Sequence, residues 1–163
     1  MVLPAEVEKK FQQLLSRYPV KRSALVPMAL YAQDALGFVS DELIAEIAQR
    51  LDLNSLQVLE TLEYYSMLHR TPHGRNHVQI CTNVSCKLRG ADKLWEFAQS
   101  KLEIGNKQTS SDGMFSLEEV ECIGACCWAP AVQVNYDFHD DLTPAKLDAI
   151  LADYREGRGT DIK

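Results

Sequence analysis

His77-Val78-Gln79-Ile80-Cys81-Thr82-Asn83-Val84-Ser85-Cys86 and Glu121-Cys122-Ile123-Gly124-Ala125-Cys126 hold four of the chain's five cysteines. The first stretch opens on a short alternating run, His77 to Ile80, which predicts a strand running into Cys81. Phe115 to Glu121 predicts a second strand, returning from a hairpin signal at Ser111-Asp112-Gly113. Ala131 to Asn135 alternates again and predicts a third. Cys81 and Cys86 thus follow one strand, and Cys122, Cys126 and Cys127 lie between the next two. Loops at strand ends are where such sheets carry their sites. The two cysteine groups are therefore expected to converge at one edge of a sheet.

The remaining segments supply helices around that sheet. Ala91, Leu94, Trp95, Ala98 and Leu102 share one helical face. Thr143 caps a last helix, Pro144 takes its first position, and Leu147, Ile150, Leu151 and Tyr154 line its inner face. The second half reads β-α-β-β-α, a small sheet with helices packed on it. Upstream, Thr71 to Asn76 has linker composition, and before it everything reads as helix. Val7, Phe11, Leu14 and Leu15 mark the first, ended by Tyr18-Pro19. Leu25, Met28, Ala29, Ala32 and Leu36 mark the second, with Pro27 in its first turn and Gly37 as its stop. Ser40 caps the third, where Leu43, Ile44, Ile47 and Leu51 face one way. Asn54 and Gln57 form a capping box for a fourth that carries Leu56, Leu59 and Leu62. The expected architecture is α+β: a helical bundle over residues 1–72, then an α/β domain over 73–163.

Charge narrows the functional classes. The chain has 163 residues, with 17 Lys and Arg against 23 Asp and Glu and a formal charge of −6. An acidic chain lacks the electrostatic footprint of a nucleic-acid binder or of a protein attached to anionic membranes. No apolar run approaches the ~20 residues of a membrane span. Met1 to Lys10 has neither signal-peptide nor transit-peptide character, so a reducing cytosol is the expected compartment. No dinucleotide fingerprint or phosphate-binding loop is present, which leaves nucleotide and flavin to another chain.

In a reducing compartment, tight cysteine pairs read as metal or redox ligands. Four thiolates suit a 2Fe-2S cluster or a tetrahedral zinc. Zinc knuckles favour C-x2-C, whereas the C-x4-C spacing here makes a wider loop and favours two irons. Small intervening residues, Gly124 and Ala125 among them, let backbone N–H groups approach sulfur. Buried thiols without a metal are the plainer alternative. A thioredoxin-type dithiol is disfavoured, because it wants C-x-x-C at a helix N-terminus.

The two quoted stretches, with Ala129-Pro130-Ala131-Val132-Gln133-Val134-Asn135 after them, resemble the thioredoxin-like 2Fe-2S subunit family of respiratory complex I. Arg22-Ser23-Ala24-Leu25, Gly37-Phe38 and Tyr64-Tyr65-Ser66-Met67 resemble its helical N-terminal region, and Leu142 to Leu147 its closing helix. NAD-linked hydrogenases and formate dehydrogenases contain similar subunits. The resemblance implies a thioredoxin-like domain whose ligands are Cys81, Cys86, Cys122 and Cys126. It implies single-electron exchange with FMN on an adjacent NADH-binding flavoprotein subunit, alongside other peripheral-arm subunits. NADH and FMN would bind that partner, not this chain. Its place would be the cytoplasmic face of the inner membrane, or the matrix side in a mitochondrion, without membrane insertion. A zinc-stabilised interaction module is the rival of a different class.

Other residues receive plainer readings. Cys127-Trp128 stands where the family usually has a small residue and a polar one; Cys127 reads as apolar filler and Trp128 as packing. His69, His73, His77 and His139 are dispersed and read as surface or hydrogen-bonded core. Glu118, Glu119 and Glu121 read as a solvated strand face. Pro130 precedes a strand, as the cis-proline of thioredoxin-like folds does, although trans is the general expectation for such a bond.

Overall fold

A computed structural model describes residues 3–159 of the chain. The outermost residues of the two expected regions, 1, 2 and 160–163, lie outside the described residues. The fold is α+β and divides into two compact units, one ending at Pro72 and the other beginning at His73.

The first unit contains α1 (Ala5–Arg17), α2 (Leu25–Leu36), α3 (Asp41–Leu51) and α4 (Ser55–Tyr64). A 3-10 turn, Lys21–Ala24, leads into α2. Local chemistry sets the boundaries. Gly37 ends α2 in the left-handed region at φ +87, where a side chain would be strained. The Ser40 hydroxyl accepts from the Leu43 N–H, and Asn54 and Gln57 complete the reciprocal capping box of α4. Phe11, Leu25, Met28, Leu43, Ile47 and Leu62 are fully buried in one shared core. Each such burial contributes ~1.5–3 kcal/mol against chain entropy. One expected face is corrected. Leu56 is 71% exposed, and Val58 packs inward with Leu62 instead. The helical period allows either side of a short stripe, and the fold of the neighbouring helices selects one.

The second unit contains β1 (Asn76–Cys81), α5 (Val84–Leu88), α6 (Ala91–Leu102), β2 (Gln108–Thr109), β3 (Phe115–Val120), β4 (Val132–Val134), β5 (Asp137–His139) and α7 (Pro144–Arg155). The sheet order is β2-β3-β1-β4-β5. β1 is central, parallel to β3 and antiparallel to β4. Val78 and Ile80 of β1 and Phe115 and Leu117 of β3 share a core with Leu94 and Ala98 of α6 and Leu147 and Leu151 of α7. Strand alternation then puts His77, Gln79 and Glu118 on the other face.

Two elements are additions to the sequence reading. The residues between Cys81 and Cys86 include the start of the short helix α5, rather than an open loop, and β5 pairs with β4. The linker also ends earlier than its composition implies. Gly74 is buried, its N–H donates to Ser116 Oγ at 2.5 Å, and a Cβ on it would lie 2.6 Å from the Phe115 carbonyl carbon. Glycine is needed there because two backbones meet.

Candidate metal centre

β1 ends on Cys81, which is 2% exposed. The Asn83 side chain caps the Val84 N–H at 2.8 Å and starts α5, whose third residue is Cys86, 1% exposed. Ala91, at the start of α6, and Ala129 close around these two cysteines, and Ile123 packs against the same cluster. Ile123 follows Cys122 and Ala129 follows Cys127-Trp128, so their packing draws that loop toward Cys81 and Cys86. β4 contributes as well: the Cys81 N–H donates to the Ala131 carbonyl at 3.1 Å.

The electrostatics record the convergence. Burial pushes the Cys86 thiol pKa up, opposed by a backbone hydrogen bond at Ala131 and reinforced by the neighbouring Cys81 and Cys126 thiols. Both neighbours thus make the Cys86 thiolate costlier, and a bound cation would offset that cost. Cys122 and Cys126 are exposed. The Gly124 N–H donates to Cys122 Sγ at 3.3 Å from a backbone at φ +85. N–H···S bonds of this kind support a thiolate that carries metal. Among the described residues, no three His, Cys, Asp or Glu side chains gather around a single-ion position. The candidate donors, Cys81, Cys86, Cys122 and Cys126, are all sulfur and come from two segments. A two-iron cluster takes its thiolates in pairs, so these residues fit it.

Several sequence readings are corrected here. Cys127 is exposed rather than a filler, and Trp128 is 62% exposed rather than packed. Both sit on a 3-10 turn, Cys126–Trp128, too short to bury every side chain that it presents. The Ala129–Pro130 bond is cis, against the general trans expectation. Glu118 is not solvated: it accepts from Gln79 Nε2 and lies against His77 Nε2, both at 3.1 Å. Glu119, near the end of β3, and Glu121, just past it, are exposed. His73 and His77 are not dispersed, since their ring centroids lie 4.6 Å apart. Val84, 66% exposed, and Leu88, 83% exposed, were missed by sequence reasoning. They are one helical turn apart on α5, a spacing that is a signal only once α5 is known.

Comparison with known proteins bears on the same residues. Residues 11–155 match the thioredoxin-like 2Fe-2S ferredoxin family. The chain belongs to this family. It is 38% identical over 149 residues to an NADH-quinone oxidoreductase subunit of Rhizobium meliloti, covering 91% of this chain and 89% of that one. Against NADH-quinone oxidoreductase subunit 2 of Thermus thermophilus the identity is 35% over 150 residues, covering 90% and 83%. The fold is shared with an NAD+-reducing NiFe hydrogenase in its air-oxidised state, at a TM-score of 0.72 and 20% identity. That match covers 83% of this chain and 23% of the hydrogenase chain. Membership of a thioredoxin-like 2Fe-2S family decides between the two metals that four thiolates suit, in favour of iron–sulfur over zinc. Among the described residues, no helix is long and apolar enough to cross a membrane.

Proposed function

We propose that this protein is the electron-transfer subunit of an NADH-quinone oxidoreductase, an oxidoreductase complex in which it is not catalytic alone. One observation carries the reading: 35–38% identity, over most of both chains, to subunits of that complex. Cys81, Cys86, Cys122 and Cys126 would hold a 2Fe-2S cluster. When bound, the cluster supplies one-electron chemistry that a hydride donor cannot use directly. Cys81 and Cys86 anchor it from the sheet side, with burial that keeps water from those sulfurs. Cys122 and Cys126 form the exposed side, and Gly124 donates its N–H there.

The partner is an NADH- and FMN-binding flavoprotein subunit, within the peripheral arm of the complex. The exposed Val84 and Leu88 on α5, and the exposed Trp128 on the turn of Cys126 and Cys127, supply apolar surface for that contact. Residues 1–72 serve docking, and their exposed Leu56, Tyr64 and Met67 are the surface for it. The complex would hold the chain at the cytoplasmic face of the inner membrane, or on the matrix side in a mitochondrion. The equivalent component of an NAD-linked hydrogenase is the second reading, supported by the shared fold.

The test uses the purified protein with its cluster. NADH alone should leave it oxidised on a catalytic timescale, whereas dithionite, a one-electron donor, should reduce it. Adding the FMN-bearing subunit should confer reduction by NADH, followed by low-temperature EPR. Rapid reduction by NADH of the flavin-free chain would overturn the subunit reading. The subunits that copurify separate complex I from hydrogenase.

A further inference from the structure

Asp141 and Leu142, between β5 and α7, bond to the backbone that follows the second cysteine group. The Asp141 N–H donates to the Trp128 carbonyl at 2.7 Å, and the Leu142 N–H donates to the Pro130 carbonyl at 3.2 Å. Trp128 closes the 3-10 turn that begins at Cys126, and its own N–H donates to the Ala125 carbonyl at 3.0 Å. A chain of backbone hydrogen bonds thus runs from Asp141 to the residue before Cys126. The segment is firmly mounted. Leu142 is 6% exposed and shares the sheet core with Leu147 and Leu151 of α7. The Thr143 hydroxyl accepts from the Lys146 N–H at 3.3 Å and caps that helix.

The Asp141 side chain reaches toward the other cysteine pair. Its Oδ1 lies 3.6 Å from Arg89 Nη2, and its Oδ2 lies 3.1 Å from Lys146 Nζ. Arg89 directly follows α5, and its N–H donates to the Cys86 carbonyl at 3.1 Å. One residue therefore touches both cysteine-bearing segments: the Cys126 turn through its amide, and the end of α5 through its carboxylate. Arg89 and Asp141 are both exposed, so their ion pair adds little hold by itself. The direction of the amide matters more. Asp141 sits in the left-handed region at φ +46, where aspartate and asparagine are enriched and other side chains are costly. That conformation aims its N–H at Trp128.

We propose that Asp141 is a positioning residue of the metal centre, its backbone holding the Cys126 turn and its carboxylate balancing the Arg89 charge on the Cys86 side. This rests on the reading of Cys86 and Cys126 as cluster ligands. Substitution separates the two roles. Asparagine keeps the left-handed preference and loses the charge, whereas alanine loses both. Reduction adds negative charge to a cluster, so neighbouring cations raise its potential and carboxylates lower it. Asp141→Asn should therefore shift the potential up, and Arg89→Gln should shift it down.

The test uses the full-length protein with its cluster. In excess chelator, Asp141→Ala should lose visible absorbance about 5-fold faster than wild type, and Asp141→Asn should stay within about 2-fold of it. Potentials come from redox titration followed by low-temperature EPR. An alanine variant that keeps its cluster as long as wild type overturns the proposal, and so does an asparagine variant that loses it as fast as alanine. Opposite shifts in Asp141→Asn and Arg89→Gln are a signature that a merely structural residue would not give; shifts of one sign, or none, reject the charge role. Should Asp141→Ala not fold, those two potentials and the retention in Asp141→Asn decide. Cys126→Ala separates the premises. A cluster retained there removes the ligand reading and this inference with it. A cluster lost there, while Asp141→Ala matches wild type, rejects the positioning role alone.

Discussion

Replacing Gly124 should loosen the exposed half of the metal centre through backbone conformation alone. The residue sits at φ +85, and a Cβ built on it meets nothing within 4 Å. Sterics with neighbours therefore play no part, and only the intrinsic cost of the left-handed region remains. For a residue with a Cβ that cost is ~1–2 kcal/mol. Alanine recovers ~0.4–1 kcal/mol by stiffening the unfolded chain, which leaves a net loss of ~1 kcal/mol. A β-branched residue is worse, by roughly another 1 kcal/mol, and asparagine tolerates the region best. As the loop relaxes to negative φ, the Gly124 N–H turns away from Cys122 Sγ, now 3.3 Å from it. At 1.4 kcal/mol per tenfold, Gly124→Ala should speed cluster loss about 5-fold and Gly124→Val about 30-fold, with Gly124→Asn within about 2-fold of wild type. The assay is the decay of visible absorbance in excess chelator. If the valine variant keeps its cluster as long as wild type, the conformational argument fails. If asparagine is as damaging as valine, side-chain bulk and not φ governs the loop.

Single alanine substitutions should sort the five cysteines. Those at Cys81, Cys86, Cys122 and Cys126 should abolish or severely perturb the cluster in spectrum and iron content, and Cys127→Ala should keep it. Acid stability should carry a signature of Glu118. Burial pushes its pKa up, but hydrogen bonds from His77 and Gln79, with the charges of His77 and Lys107, outweigh that and hold it at about 2. A depressed carboxylate contributes stability above its ordinary 4.5 and loses it as pH falls from there to about 2, here on the order of 3 kcal/mol. Denaturant midpoints across that window should flatten in Glu118→Gln, and an unchanged slope contradicts the assignment. Leu88→Ser and Trp128→Ser should weaken flavoprotein binding about tenfold each by calorimetry without changing the spectrum, since both side chains are exposed.

Much of the architecture was legible because its signals are local. Helix stops at Gly37, caps at Ser40, Asn54 and Thr143, and strand alternation at Val78 and Ile80 depend on a residue and its near neighbours. The cysteine spacing was legible for the same reason, and it pointed to two loops at strand ends. Where periodicity left two faces of a short helix equivalent, as at Leu56 and Val58, only the surrounding bundle chose.

The rest was decided by contacts between residues distant in the chain, for which a single sequence carries no signal. Parallel pairing of β1 with β3 sets Gln79 opposite Glu118, and that register turns a glutamate from a solvated face into a partly buried carboxylate that Gln79 and His77 approach. The same sheet fixes Gly74 against Phe115 and brings His73 onto His77. Exposure behaves likewise. Cys127 and Trp128 have the composition of core residues, yet a single 3-10 turn at the surface cannot bury them. The four candidate ligands could thus be named from the sequence, through its resemblance to a family. Burial, pairing and ionisation were properties of the tertiary fold, because they depend on which surfaces meet.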